Sequence, residues 1–442
     1  MKVYFKLLVI CQLMSLHAYA QVNGLSPYSR YGLGNTQLSA SAQLQALSHG
    51  GVTYINPYAI NSQQAASFAY VAKPIYDVSV AYNLLSLSNN NTSLTQRDFS
   101  FSGFRFLFPL VKDKAGLSMG LTPHYQSNYD INDTQNEPGI GDVLYEYQGE
   151  GGINKAYLGI GTKLIDNDTL QLAVGAKGLY YFGSSTKIRR ALLPSGQNYF
   201  NVASTNQLSV SDLSLEGGVY ISWTPGKARD LQFRLGSSVN LGGNLNARKT
   251  ELNNTFSENG FGSTFIKDTL NFVANNSGQV RFPLELSTGV GVLIRNKWYV
   301  GLTHTVLDWT TYVEDFGEQQ QTSFAELKAG NSYSLGIEYT PQPTRLLTNN
   351  FWKTVSYRLG MRIADDYIQV NDEPLKQQSL SLGLGLPLLK SRSLSSFNVG
   401  VEFGSRTGSG ENLIAEDFVN IYLGMTFVPN KIDNWFIKRK YD

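Results

Sequence analysis

The chain has 442 residues, 16% of them charged, with 42 glycines, 26 tyrosines and a formal net charge of +2. That balance is too near neutral to argue for a nucleic-acid partner, and no apolar run reaches the roughly 18 residues a spanning helix needs. Few charges, many glycines and aromatics, and no long amphipathic helix after residue 60 fit a membrane β-barrel, with a large soluble all-β protein as the alternative.

Residues 1–20 read as a secretory signal. Lys2 and Lys6 precede a mostly apolar run, Leu7 to Leu16, and Ala18-Tyr19-Ala20 is a small-x-small cleavage site before Gln21. The single cysteine, Cys11, lies in this segment, so the mature chain would hold no disulfide and no thiol ligand or nucleophile. A signal segment followed by spanning strands implies the cell outer membrane of a Gram-negative bacterium.

Residues 21–65 are rich in Ser, Gln, Asn and Gly and lack sustained alternation. Tyr28, Tyr31, Leu33, Leu47, Val52 and Tyr54 give this stretch apolar groups to bury, so it is expected to fold into the lumen as an N-terminal plug.

From 66 to 428 the chain alternates with period 2 in about fourteen segments, an even number that lets both ends finish on the periplasmic side. The expected fold class is therefore all-β, a transmembrane antiparallel β-barrel with about 14 strands. The last strand shows the pattern best. Val419, Ile421, Leu423, Met425 and Phe427 share one face, and Asn420, Tyr422, Gly424 and Thr426 share the other. Asp166-Asn167, Pro225-Gly226 and Arg295-Asn296 suit tight periplasmic turns, whereas the polar stretches 183–207 and 249–278 suit extracellular loops. Residues 429–442 are expected to form a periplasmic tail.

Two strands break the rule. Phe99 and Phe101 share one parity while Phe104, Phe106 and Phe108 share the other, which implies a bulge at Gly103 or inward-facing aromatics at 99 and 101. Pro123 removes a ladder hydrogen bond from a strand whose Ala115, Leu117, Met119 and Leu121 face out, and so marks a kink, a local opening or the rim.

With the apolar parity facing lipid, the opposite parity carries Asp77, Lys163, Lys177, Glu216, Arg234, Glu285, Glu338, Arg358, Arg362 and Glu402. A charge on the lipid face at mid-membrane would cost roughly 2–4 kcal/mol, so these are expected to be lumen charges. Many glycines share their face, leaving room for a plug or ligand, or easing curvature. His49, His124 and His304 form no metal-ligand spacing, and no nucleophile elbow is present. The protein is expected to be no enzyme and to use no cofactor or metal.

Four stretches carry a family resemblance. They are Ser26-Pro-Tyr-Ser-Arg-Tyr-Gly-Leu-Gly34; Ala46-Leu-Ser-His-Gly-Gly-Val52 with Ile60-Asn-Ser-Gln-Gln-Ala-Ala-Ser-Phe68; Tyr147-Gln-Gly-Glu-Gly-Gly-Ile-Asn-Lys-Ala-Tyr-Leu-Gly159; and Asn434-Trp-Phe-Ile-Lys-Arg-Lys-Tyr-Asp442. Together they resemble the FadL-type outer-membrane transporters, in their divergent Bacteroidota branch, which also includes PorV-like proteins of the type IX secretion system. Where relatives carry an Asn-Pro-Ala-type turn, this chain has Gln64-Ala65-Ala66. The resemblance implies a plugged fourteen-stranded barrel that releases hydrophobic ligands sideways through a kink in the third strand, here at Gly120, Pro123 and His124.

Two functions follow as expectations. The first is passive passage of hydrophobic or amphipathic, fatty-acid-like molecules, with outer-membrane lipids and a hydrophobic ligand as partners. The second is a non-transporting docking subunit of an outer-membrane secretion or barrel-assembly machine, with outer-membrane or periplasmic protein partners. A continuous apolar cavity would favour passage; an exposed apolar patch or ordered outer loops would favour docking. The basic run Lys438-Arg439-Lys440 would touch a periplasmic partner or simply keep the terminus in water.

Overall fold

A computed structural model describes residues 26–37, 40–89, 93–194, 199–226, 230–258, 264–317, 327–343, 350–370, 373–388, 394–408 and 413–429. The signal segment, Cys11 and the tail beyond residue 429 lie outside the described residues.

The strands in chain order are β1 (Asn35–Thr36), β2 (Ile75–Ser88), β3 (Ser93–Val111), β4 (Ala115–Gln126), β5 (Tyr129–Glu137), β6 (Gly141–Asp166) and β7 (Leu170–Leu192). There follow β8 (Asn201–Trp223), β9 (Leu231–Asn240), β10 (Gly243–Glu258), β11 (Thr264–Phe282), β12 (Glu285–Ile294), β13 (Trp298–Asp308) and β14 (Val313–Asp315). The last are β15 (Ala329–Tyr339), β16 (Ser356–Val370), β17 (Glu373–Pro387), β18 (Ser396–Thr407) and β19 (Ala415–Phe427). Fourteen of them close an antiparallel barrel in the order β2-β3-β4-β6-β7-β8-β9-β12-β13-β15-β16-β17-β18-β19. The seam is β19 on β2, running from Phe427 opposite Tyr76 to Ala415 opposite Ser88.

Alternation decides which side chains face out. Leu380, Leu382 and Leu384 on β17, Met361 and Ile363 on β16, and Met425 on β19 are exposed, while their neighbours Ser379, Ser381 and Thr426 are buried. Tight connections gather at one end: Asp113-Lys114, the Asp166-to-Leu170 turn and Arg295-Asn296. Outer-membrane barrels keep such turns on the periplasmic side. An aromatic girdle marks the bilayer edge there. Tyr76 meets Phe106, Phe108 and Phe427, Trp298 stacks on Tyr339 at 4.0 Å, and Trp223 stacks on Phe233 at 5.7 Å.

The ten residues of β12, at about 3.3 Å each and a tilt near 40°, rise roughly 25 Å, the height of the apolar band. β6, with 26 residues, rises roughly 65 Å by the same arithmetic. The sheet therefore continues well past the bilayer on the outer side. This corrects the reading of 183–207 and 249–278 as loops. Residues up to Leu192 extend β7, β8 begins at Asn201, and 249–278 belongs mainly to β10 and β11. The upper half of β8 leaves β9 and pairs with β10, Val210 opposite Ala247 through Asn201 opposite Phe256. Above the bilayer a strand no longer needs an apolar face, so its polar sequence looks like a loop.

The bulge lies at Gly103. Ser79 pairs with Gly103 and Val80 with Phe101, leaving Ser102 unpaired, and Gly103 takes φ +127°, a conformation that favours glycine. Phe99 and Phe101 therefore face outward like Phe104, and are exposed.

Candidate functional site

The described residues 26–37 and 40–70 lie inside the barrel. They run from its outer end down to Val71, whose carbonyl accepts from Asp113 N–H at the short-turn end. The first wall strand starts at Ile75, so the helical turn Ala65–Tyr70 still belongs to the inner segment, past the expected limit at residue 65.

Glycines of the wall make the room. A Cβ at Gly175 would lie 2.4 Å from the Ala65 carbonyl carbon, at Gly116 2.2 Å from Phe68 O, and at Gly360 2.5 Å from the Ser48 nitrogen. At Gly175 and Gly360, inward glycines expected either to leave room or to ease curvature, and at Gly116, the lack of a side chain admits the inner segment. The stretch Ala46–Val52 contains the tightest bend, Ser48 at φ 49° and His49 at φ 63°, and Ser48 Oγ is 2.9 Å from Ser381 Oγ.

Polar side chains tie the segment to the wall. Ser26 Oγ donates to Glu416 at 2.5 Å, and the Tyr28 hydroxyl donates to Ile414 O at 2.8 Å. Burial pushes the Tyr28 hydroxyl up to about 12, with Glu416 acting in the same direction. The Tyr54 hydroxyl donates to Glu338 at 2.9 Å, and burial raises its pKa as well. Gln64 anchors the segment where it enters the helical turn Ala65–Tyr70. Its Nε2 donates to Val219 O and Ser237 O at 3.0 Å each, while its Oε1 accepts from Ala66 N–H.

The ten charges read from parity fall as follows. Asp77 pairs with Arg105 at 3.2 Å, both fully buried, and also accepts from Thr426. Lys163 meets Asp166 at 3.3 Å and lies over the Tyr70 ring. Lys177 joins Glu216 at 2.5 Å and also donates to Ser62 O, holding the inner segment. Arg234 donates to Gln232 at 2.8 Å. Glu338 meets Arg358 at 2.7 Å. Glu402 accepts from Asn420 and from the Tyr422 hydroxyl. Glu285 and Arg362 line a cavity of about 400 Å³, shared with Lys155, Lys177, Glu216 and Glu402.

Parity could have found more. Arg105, Lys155 and the cluster of Arg406 with Asp366 at 2.5 Å and Glu416 at 3.3 Å are wall charges that were not singled out. Arg406 and Glu416 continue the inward parity of Glu402 and Asn420 past the apolar part of each strand. Arg105 regains inward parity once the bulge is counted.

Gly120, Pro123 and His124 sit together where β4 leaves the wall. The β3–β4 ladder ends at Phe104 opposite Leu121. Past it, β4 stays paired to β6 with a register shift between Pro123 and Tyr125. Its other edge takes β1, Thr36 opposite Tyr125 and Asn35 opposite Gln126, and the Gln37 N–H donates to His124 O at 2.7 Å. His124 is buried against the Tyr125 and Tyr181 rings. Gly120 accommodates the Tyr157 ring, 2.7 Å from where a Cβ would stand. The Gly-rich entry to β6 is the point where that strand changes partner, from Gln126 at Gly152 to Tyr129 at Gly149. Gly151, at φ +92°, makes the turn.

Solved outer-membrane channels share this architecture. A Pseudomonas aeruginosa FadL homologue aligns with TM-score 0.56 at 11% identity, over 89% of this chain and 99% of its own. The Pseudomonas putida toluene transporter TodX aligns with TM-score 0.53 at 12% identity, over 90% and 100%. The Ralstonia pickettii toluene transporter TbuX gives 0.51 at 10%, over 92% and 99%. At such identities the likeness is one of fold, and the fold is that of an outer-membrane barrel of the FadL type. No curated protein matches the sequence. The profile of the BamG family matches residues 2–442, and the chain belongs to that family.

Proposed function

We propose that the protein is a non-enzymatic docking subunit of an outer-membrane machine for barrel assembly or protein secretion. The observation that carries this reading is the ordered sheet above the bilayer and its outermost strand. On β11, residues 264–277 are exposed, and Phe265, Ile266, Leu270 and Phe272 stand more than half open to solvent. A cluster of large apolar side chains far above lipid is what a protein partner would cover. The cavity supports the same reading. It mixes Lys155, Glu285, Arg362 and Glu402 with Leu84, Leu85, Phe101 and Phe418, so it is not a continuous apolar channel. The BamG family match agrees with a place in barrel assembly, as does the resemblance to the PorV-like branch.

Gentle purification from native outer membrane, with mass spectrometry of proteins and lipids, tests this. Stoichiometric recovery with other outer-membrane or periplasmic proteins is expected, falling at least tenfold when Phe265, Ile266, Leu270 and Phe272 are replaced by serine. Recovery of a single protein carrying lipid or fatty acid would contradict it.

A second reading, passive passage of hydrophobic or amphipathic molecules, is favoured by one specific observation, the ladder break at Leu121. In this reading the ligand displaces the inner segment and leaves sideways past Gly120, Pro123 and His124. The similar solved structures include a toluene transporter and a monoaromatic hydrocarbon channel. Uptake of long-chain fatty acid by a deletion strain, with and without the gene restored, separates the two readings: uptake that depends on the gene supports passage.

A further inference from the structure

Where β4 turns inward, two strand edges lose their partner, and the chain treats them differently. The edge of β4 is met from within by Asn35, Thr36 and Gln37. The edge of β3 is not. Among the described residues, Ser93–Ser102 pairs with β2 on one side and with no strand on the other.

This bare edge stands partly at bilayer height. Phe101 is opposite Val80 and Phe99 opposite Tyr82, two residues below Arg97 opposite Leu84. Phe99 and Phe101 are 67% and 42% exposed, Ser100 is half-buried and Ser102 buried, and Ser100, Phe101 and Ser102 reach the cavity where the wall breaks. The edge thus keeps the pattern of a wall strand, apolar outside and polar inside, with no neighbour to continue it. β5, across the break, is too polar to do so within lipid: Asp130, Asn132, Asp133 and Asn136 belong above the bilayer.

Unpaired backbone groups in hydrocarbon each cost several kcal/mol, and neither lipid nor a hydrocarbon ligand offers the missing donors and acceptors. A second strand with matching alternation does. We infer that the Ser93–Ser102 edge of β3 is a seam on which a membrane-spanning β-strand of a second outer-membrane barrel docks. The inference rests on the docking-subunit reading and names the partner's chemistry: an edge strand with outward apolar and inward small polar side chains.

The test places a photo-crosslinking benzoylphenylalanine at Phe99, Phe101 or Leu94 in the full-length protein in cells, with Val290 and Met361 on the far wall as controls. Mass spectrometry then maps the partner peptide. Crosslinks at 99 and 101 to a β-strand of one outer-membrane barrel, at least tenfold above the far-wall controls, are expected. Crosslinks to lipid alone, none at all, or equal yields at 290 and 361 would overturn the inference. If proteins co-purify but none crosslinks at 99 or 101, the docking reading stands and this seam falls. If no protein co-purifies, the reading itself falls.

Discussion

Arg105 and Asp77 form a fully buried pair inside the wall, 3.2 Å apart, next to the bulge at Gly103. Removing one partner of a buried pair typically costs about 3–5 kcal/mol, because the other charge is left alone. Arg105→Met should therefore lower the temperature at which the barrel loses its compact mobility on a semi-native gel; an unchanged transition would contradict the pairing. Gly175→Val should push the Ala65 backbone off the wall at about 1–3 kcal/mol, read as faster protease cutting within residues 26–70. Tyr28 gives a pH prediction. Its folded pKa, up at about 12, exceeds the ordinary value of 10.0, so the folded state holds the proton more tightly. The resulting stability is complete below pH 10 and is lost as pH rises through about 12. Tyr28→Phe should abolish that loss in an alkaline unfolding titration. At this scale parity showed which charges face inward, but not their partners. Asp77 and Arg105 are 28 residues apart and meet only through the β2–β3 register.

Among the elements, the strands inside the bilayer were legible because lipid on one face and water on the other force a period of two. β16 to β19 show it, apart from the register shift between Asp365 and Gln369 at one end of β16. Beyond the bilayer that constraint disappears, and β10 and β11 carry strand sequences that read as loops. The break in the wall was half legible. Pro123 marked the place, but the pairing of β1 on β4 gave no sequence signal, since Asn35 and Thr36 are only two residues long as a strand. Gln37→Pro removes the N–H that donates to His124 O at the end of that short ladder. It should free the outer part of the inner segment, read as new protease cutting before residue 40, while leaving the fourteen wall strands and the heat transition of the barrel in place.

For the whole molecule, a barrel whose lumen is filled and cross-tied has little to gain from being hollow. Its inner segment is held by wall glycines, by Gln64 and by ion pairs, and the remaining cavity is charged. What the molecule does present is outward: an apolar strand above the membrane and an unpaired edge within it. In the proposed reading both are surfaces for proteins. The measurement that tests this most directly is gentle purification of the intact protein from native outer membrane, with mass spectrometry of everything bound. The account predicts stoichiometric outer-membrane or periplasmic partners, lost when the four apolar residues of β11 become serine. A lone barrel carrying lipid or fatty acid would contradict it.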